Sequence, residues 1–459
     1  MFGNRLERLM DRGGLVRAVM VLVGGTASAH AITAIALPIL TRLYTPSDFN
    51  VLAIFSSLLS VVSVAACLRF DVAIPIPERK ADALLLLILS ILSVILVTAT
   101  LGLSILLVQD GWFDGIGLGE VAAYLWLLPI GVLLTGLYST FQNWFLRQTD
   151  FALIARSRVI QSAASSGTQI GMAGLIIGPI GLLTGYLLNS GAAGVLLGKK
   201  IFVQEKESIN GQLICWKNLK AIWGDYSHFP KYSTWEALAN SAAIQIPVIL
   251  IAALVAGPEA GYLFLAMTVI QAPMSLFGTS ISQVYLSRAP HEYRDGSLAP
   301  FTARIFGGLL KAGVGPLLAA GILSPFIFDS VFGEGWGRAG WLVAWMTPWF
   351  IAQFLATPMS MAVHVTGHHR YAFYLQLFGL IFRISLVVGA SKWPSTPVSE
   401  VYAASGALFY FAYLLLILYC VGCGFRQILP QIYSGAKVIL TWVLLALFLL
   451  LALKKILIL

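Results

Sequence analysis

Two basic side chains lie deep inside apolar runs. Lys311 is about ten residues into one long run and Arg383 about thirteen into another. A cation at the centre of a membrane helix costs about 2.5–3.5 kcal/mol on insertion scales, so it faces protein, trapped water or a ligand of opposite sign. Each has a polar companion seven residues earlier, Arg304 and Gln376, and that spacing returns to the same helix face. The one acid at comparable depth is Glu236, which lies nearer the inner face. A cavity lined by these groups is net cationic and takes an anion. The plainer alternative is a structural pairing of Glu236 with one of the cations. Either way the chemistry is binding, with no nucleophile–base constellation for catalysis.

Further polar stripes run along other apolar segments. One carries Arg158, Gln161, Ser165 and Thr168, and another Gln353, Thr357, Ser360 and His364, both at one-face spacing. Ser233, Glu236 and Asn240 form a third stripe, and Gln271, Ser275 and Ser282 a fourth. Ser28, His30 and Thr33 are less regularly spaced. A single stripe of this kind reads equally well as glue between helices. Several stripes from both halves of the chain point to a hydrated central cavity of transporter type. His30, Glu236 and His364 are the titratable groups placed to couple a proton or cation.

The elements that must position these residues follow from composition. Of 459 residues, 58% are hydrophobic and 11% charged, more apolar surface than a soluble core can bury. The fold class is an all-α polytopic membrane protein. Thirteen apolar segments are long enough to span a bilayer: 15–41, 48–69, 81–108, 120–146, 153–177, 179–201, 230–256, 260–287, 301–328, 337–364, 370–392, 399–421 and 434–453. With the N-terminus in the cytoplasm, most Lys and Arg fall on the inner side, as the positive-inside rule requires. This explains the net charge of +9 without a nucleic-acid partner. The expected organisation is a cytoplasmic interfacial segment (1–14), a six-helix lobe (15–201), a cytoplasmic linker (202–229), a second six-helix lobe (230–421) and an additional C-terminal helix (434–453). The lobes flank the central cavity and share helix-end prolines, which suggests a parallel repeat. The four cysteines include Cys420-x-x-Cys423, which has no second pair or nearby histidine. No metal or cofactor is expected, and no Walker A motif is present.

The most informative stretch is 38–77. It reads PILTRLYTPSDFN, a long apolar run, then LRFDVAIPIP. Pro46 keeps its predecessor out of the α region, and Asp48 is placed to cap the following helix. Arg42, Asp48, Arg69 and Asp71 bracket this hairpin as turn or gate residues. Arg69 and Asp71 serve as interfacial anchors or as an ion pair. This run resembles the bacterial polysaccharide-repeat flippases of the multidrug/oligosaccharidyl-lipid/polysaccharide exporter superfamily. Ala155–Gln161, Phe229–Ser233 and Gly257–Tyr262 with its Gln271-Ala-Pro-Met tail agree in order and spacing. There are two departures from the family pattern: Asn50 stands where glycine is usual, and the helix count is odd.

The resemblance implies a substrate, a polyprenyl diphosphate carrying an oligosaccharide repeat unit. It is moved from the inner to the outer leaflet of the bacterial inner membrane by alternating access. Such a flippase serves O-antigen or exopolysaccharide biosynthesis and is not an enzyme. Its implied partners are the lipid-linked oligosaccharide, membrane lipids, a polysaccharide polymerase and a chain-length regulator. The rivals are a cation-coupled multidrug exporter of the same superfamily, which calls for deep acidic groups, and a polysaccharide polymerase or ligase, which calls for a large external loop.

Overall fold

The computed structural model describes residues 12–107, 115, 117–175, 178–206, 215–393 and 396–458, and everything described is helix or connecting turn. By contact the chain divides into two compact units, 1–245 and 246–459. The first contains α1 (Arg12–Leu43), α2 (Pro46–Ala66), α3 (Lys80–Leu107), α4 (Leu127–Arg147), α5 (Phe151–Ala173), α6 (Ile180–Glu205), a short α7 (Trp216–Asp225) and the start of α8 (Thr234–Leu254). The second continues α8 and adds α9 (Glu259–Arg294), α10 (Leu298–Phe332), α11 (Gly337–Ala356), α12 (His369–Ser391), α13 (Val398–Val421) and α14 (Phe425–Ile458). Ten of these helices are long and apolar enough to cross a membrane: α1–α3, α6, α8 and α10–α14. The other three expected spans coincide with α4, α5 and α9, which are helical but not among the ten. Of the expected N-terminal segment, residues 1–11 lie outside the described residues, as do residues 207–214 of the expected linker.

The α1–α2 hairpin forms where its residues require it. Thr45 is the N-cap of α2, and its hydroxyl accepts from the Asp48 amide at 3.3 Å. Asp48 in return accepts from the Thr45 amide at 2.9 Å, closing a capping box with Pro46 in the first turn. Asp48 is therefore the reciprocal member of the cap, not the cap itself. Asn50 lies inside α2 rather than in the turn, so it needs no unusual φ. Its amide donates to Glu120 at 3.2 Å.

Three other boundaries differ from the sequence reading. The segment expected at 120–146 begins as a short helix, Gly119–Ala122, and α4 proper starts at Leu127. The one expected at 337–364 stops at Ala356, continues as a tight turn over Thr357–Met359, and resumes over Met361–Val365. Pro358 explains the break, since it lacks a donor and its ring clashes with the preceding turn. Gln353, Thr357, Ser360 and His364 therefore do not share one continuous helix, and the side chain of His364 lies outside the described residues. The last helix starts nine residues earlier than its expected first residue, 434, at Phe425. It packs on α10 where Gly315 faces Trp442 and Gly307 faces Gln431.

Within the first unit, α5 packs between α1 and α6, and α4 touches α2, α3 and α6. Close approach depends on small residues at the crossings. A Cβ on Gly191 of α6 would collide with the Leu134 backbone and Cβ on α4, and one on Gly25 of α1 with Ala155 of α5. Gly191→Val is therefore expected to wedge α6 away from α4 and destabilise the protein by about 1–3 kcal/mol. The check is a lower Tm for the detergent-solubilised protein and a smaller yield in the membrane.

Candidate functional site

In the first unit, polar groups gather between α1, α4 and α5. Arg158 of α5 is half-buried and donates from Nη1 to the Thr26 hydroxyl of α1 at 2.6 Å. His30, one turn along α1, lies close enough to feel that guanidinium. Gln161, one turn along α5, is buried, and its amide nitrogen has no partner. Beside it the Ser157 and Tyr138 hydroxyls lie 3.1 Å apart. Toward the other end of α5, the Tyr44 hydroxyl donates to the Gln169 carbonyl at 2.7 Å, and the Gln169 amide donates to Leu182 at 3.2 Å. The structure thus brings Arg158, Gln161 and His30 together on neighbouring helices. Glu236 and Asn240 lie exposed in the first two turns of α8.

The turn after α2 is built from strained backbone. Leu68 and Arg69 both have positive φ, 47° and 63°, where side chains other than glycine and asparagine are disfavoured. Asp71, 5% exposed, accepts from the Ser139 hydroxyl at 2.6 Å, and its other oxygen has no partner. The Arg69 Nε is also buried and unpartnered. These two side chains are therefore not joined to each other as the ion pair that their spacing suggested. Burial pushes the Cys67 thiol in the same turn up to about 12, with Asp71 adding to the effect. At the preceding turn Arg42 is exposed and reaches the Pro38 carbonyl at 3.3 Å.

The second unit holds the more unusual arrangement. Arg383 of α12 is 3% exposed, and its guanidinium lies 4.3 Å from the Phe409 ring centroid, 5.5 Å from Trp349 and 5.6 Å from Tyr410. Two glycines let these rings in. A Cβ on Gly379 of α12 would strike Phe409, and one on Gly406 of α13 would strike Trp349. Nε and Nη2 of Arg383 and Nε1 of Trp349 have no hydrogen-bond partner. Aromatic faces attract the cation by about 2 kcal/mol when it is desolvated, which leaves much of the several-kcal/mol burial penalty uncompensated. Lys311 has different surroundings. It is exposed, in a wide π turn (Leu310–Val314) within α10, and Arg304 is exposed seven residues before it. Gln353 and Gln376 are half-buried.

Several of these features were missed in the sequence. The aromatic faces around Arg383 come from two other helices, and no local spacing reports them. Arg338, at the start of α11, pairs with Glu259 at the start of α9 (2.7 Å) and with Glu400 at the start of α13 (2.6 Å). The acids early in helices favour their N-termini, but no local spacing links positions 259, 338 and 400. Cys420 and Cys423 are buried free thiols, and burial raises the pKa of Cys423 above its ordinary value.

The fold is shared with several solved membrane transporters. The chain is similar to a lipid II flippase, MurJ, in an inward closed conformation, with TM-score 0.65 and 15% identity over 93% of this chain and 98% of that one. It is also similar to a transporter of the superfamily from Pyrococcus furiosus described as having a binding pocket of reversed polarity (TM-score 0.54, 12% identity, 88% and 95% of the two chains). A multidrug resistance transporter in an inward-facing conformation aligns comparably (TM-score 0.55, 13% identity, 88% and 94%). No curated protein sequence matches this chain. Residues 39–336 match the family described as polysaccharide biosynthesis protein, and the chain belongs to that family.

The cage makes the Arg383 charge separable from its volume. Arg383→Met is expected to fold at least as well as the native protein, because replacing a buried ion by an apolar group is often neutral or stabilising by about 1–4 kcal/mol. It is expected to lose surface polysaccharide all the same. The checks are Tm in detergent and polymer display in a complemented deletion strain. An active, stable methionine variant would show that the charge has no functional role.

Proposed function

We propose that this protein is a flippase that moves polyprenyl-diphosphate-linked oligosaccharide repeat units from the inner to the outer leaflet of the bacterial inner membrane. It serves O-antigen or exopolysaccharide assembly and works by alternating access, with its N-terminus in the cytoplasm. The observation that carries the reading is the polysaccharide-biosynthesis family match over residues 39–336, on a fold shared with a lipid II flippase. Fold alone would admit drug export equally well, since a multidrug transporter aligns over a similar share of the chain. The charge pattern supports the anionic substrate. Arg304 and Lys311 lie exposed on α10, and Arg383 is the fully buried cation of the second unit among the described residues. Arg158 with its polar neighbours is the counterpart in the first.

Under this reading the two exposed cations of α10 engage the diphosphate, charge against charge. Gln353 and Gln376 are the groups we assign to contacts with sugar hydroxyls. Lipid remains in the bilayer throughout. Glu236, His30 and His364 are the groups we assign to ion or proton coupling, and Arg42, Asp48, Arg69 and Asp71 to the gate. A polymerase and a chain-length regulator would receive the flipped unit.

A deletion strain tests the class of activity. It is expected to accumulate lipid-linked repeat units on the cytoplasmic leaflet, reached by a membrane-impermeant glycosidase only after the cells are opened. Accumulation on the outer leaflet would indicate a polymerase or ligase instead, and no accumulation with raised drug sensitivity would indicate an exporter. Lys311→Gln with Arg304→Gln is expected to reduce surface polymer at least ten-fold while membrane levels stay normal. Normal polymer in the double variant would remove these two residues from the substrate path.

A further inference from the structure

The helix α7 connects two membrane-crossing segments, Ile180–Glu205 and Phe229–Leu254, so both its ends emerge at a bilayer surface. At ten residues it is about 15 Å long, too short to span. One face is already used. Ile222 is buried in a cluster with Phe70, Ile74, Leu84 and Trp144, and Leu219 and Tyr226 pack against the same cluster. That cluster holds the helix at one end of the first unit.

The adjoining face, about 90° around the helix, is unlike an ordinary water-facing one. Trp216 is 81% exposed and Trp223 42%, and they lie seven residues apart on one side with Lys220 between them. Lys217 is exposed beside them. The start of the next membrane segment continues the pattern, with Lys231 exposed, Tyr232 at 74% and Trp235 at 69%. Neither lysine of α7 makes an ion pair among the described residues. Of the acids near this region, Asp225 and Glu236 are exposed, and Asp82 is half-buried close to Tyr226 on the packed side. Asp225 lies at the far end of α7, about 180° around the helix from Trp216, so it does not cancel the lysines locally. Tryptophan rings prefer the headgroup level of a bilayer, and lysines near an anionic leaflet gain from its negative surface potential.

We infer that the Trp216/Lys217/Lys220/Trp223 face of α7 is a binding surface for anionic phospholipid headgroups, with the two indoles set at headgroup depth and the lysines against lipid phosphates. A neutral lipid would satisfy the indoles but not the lysines. A soluble partner would satisfy the lysines but would leave the apolar rings to be covered by a matching apolar patch. The surface also has a mechanical neighbour. The Trp223 ring packs 5.1 Å from Phe70, the residue that follows the strained Leu68–Arg69 turn.

The inference does not depend on what the protein transports, and its test reads no transport. The full chain is reconstituted in vesicles of phosphatidylcholine with phosphatidylglycerol, and either lipid is supplied with brominated chains as a short-range quencher of tryptophan. The share of the signal due to Trp216 and Trp223 is taken as the difference between the native protein and Trp216→Phe/Trp223→Phe. For that share, brominated phosphatidylglycerol is expected to quench several-fold more strongly, mole for mole, than brominated phosphatidylcholine. The preference is expected to fall to near equality in Lys217→Gln/Lys220→Gln, and to shrink at high salt in the native protein. These lysines are exposed and unpaired, so the variant should fold, and an unchanged Tm confirms it. Equal quenching by the two lipids overturns the proposal. So does the absence of quenching at these rings, which would place the face in water or under a second copy or a partner protein.

Discussion

Hydrocarbon offers no hydrogen bonds, and the rest of this structure depends on that constraint. A polar atom inside a membrane helix must be satisfied by the protein itself, or be left wanting at a cost of several kcal/mol. Most such groups here are satisfied locally, as where Thr33, Thr100, Ser104 and Thr347 return to carbonyls one turn back on their own helices. Those bonds close within one element and carry no information about function. The informative groups bridge helices, such as Arg158 to Thr26, or remain incompletely satisfied, such as Arg383 and Asp71.

Each unit handles its buried charge differently. In the first, the guanidinium of Arg158 is met by a hydroxyl, with a histidine nearby and an amide left over. In the second, Arg383 is met by π faces and bonds the Tyr410 hydroxyl, which leaves Nε and Nη2 without partners. A cation held in this way is electrostatically tolerated yet only partly satisfied. The Glu259–Arg338–Glu400 cluster is the opposite case. One arginine pairs with two carboxylates at the starts of three helices and fastens the helix ends together, although one Glu400 oxygen is left without a partner.

The features legible in the sequence were those set by short-range rules. The hairpin at 43–48 was readable because proline and aspartate act within four residues, though which residue capped which required coordinates. The thirteen apolar segments all fall on helices, those at 120–146 and 337–364 interrupted, because length and hydropathy are properties of the segment alone. The break at Pro358 follows from proline chemistry, which interrupts the polar stripe that crosses it. Long-range geometry was not legible. Trp349 and Phe409 are 34 and 26 positions from Arg383, and nothing in their local spacing announces a shared destination. The left-handed pair at Leu68–Arg69 was equally hidden, since neither residue type favours that conformation.

That pair has a consequence for how the chain came to be as it is. Glycine would occupy either position without penalty, whereas leucine and arginine each give up about 1–2 kcal/mol to stay there. A fold under pressure for stability alone would discard such a turn. Keeping it stores tension at the foot of α2, released if the φ angles of 68 and 69 return to the right-handed side. The helix would then lengthen by up to a turn, carrying Asp71 away from Ser139 and withdrawing Phe70 from beneath the Trp223 ring.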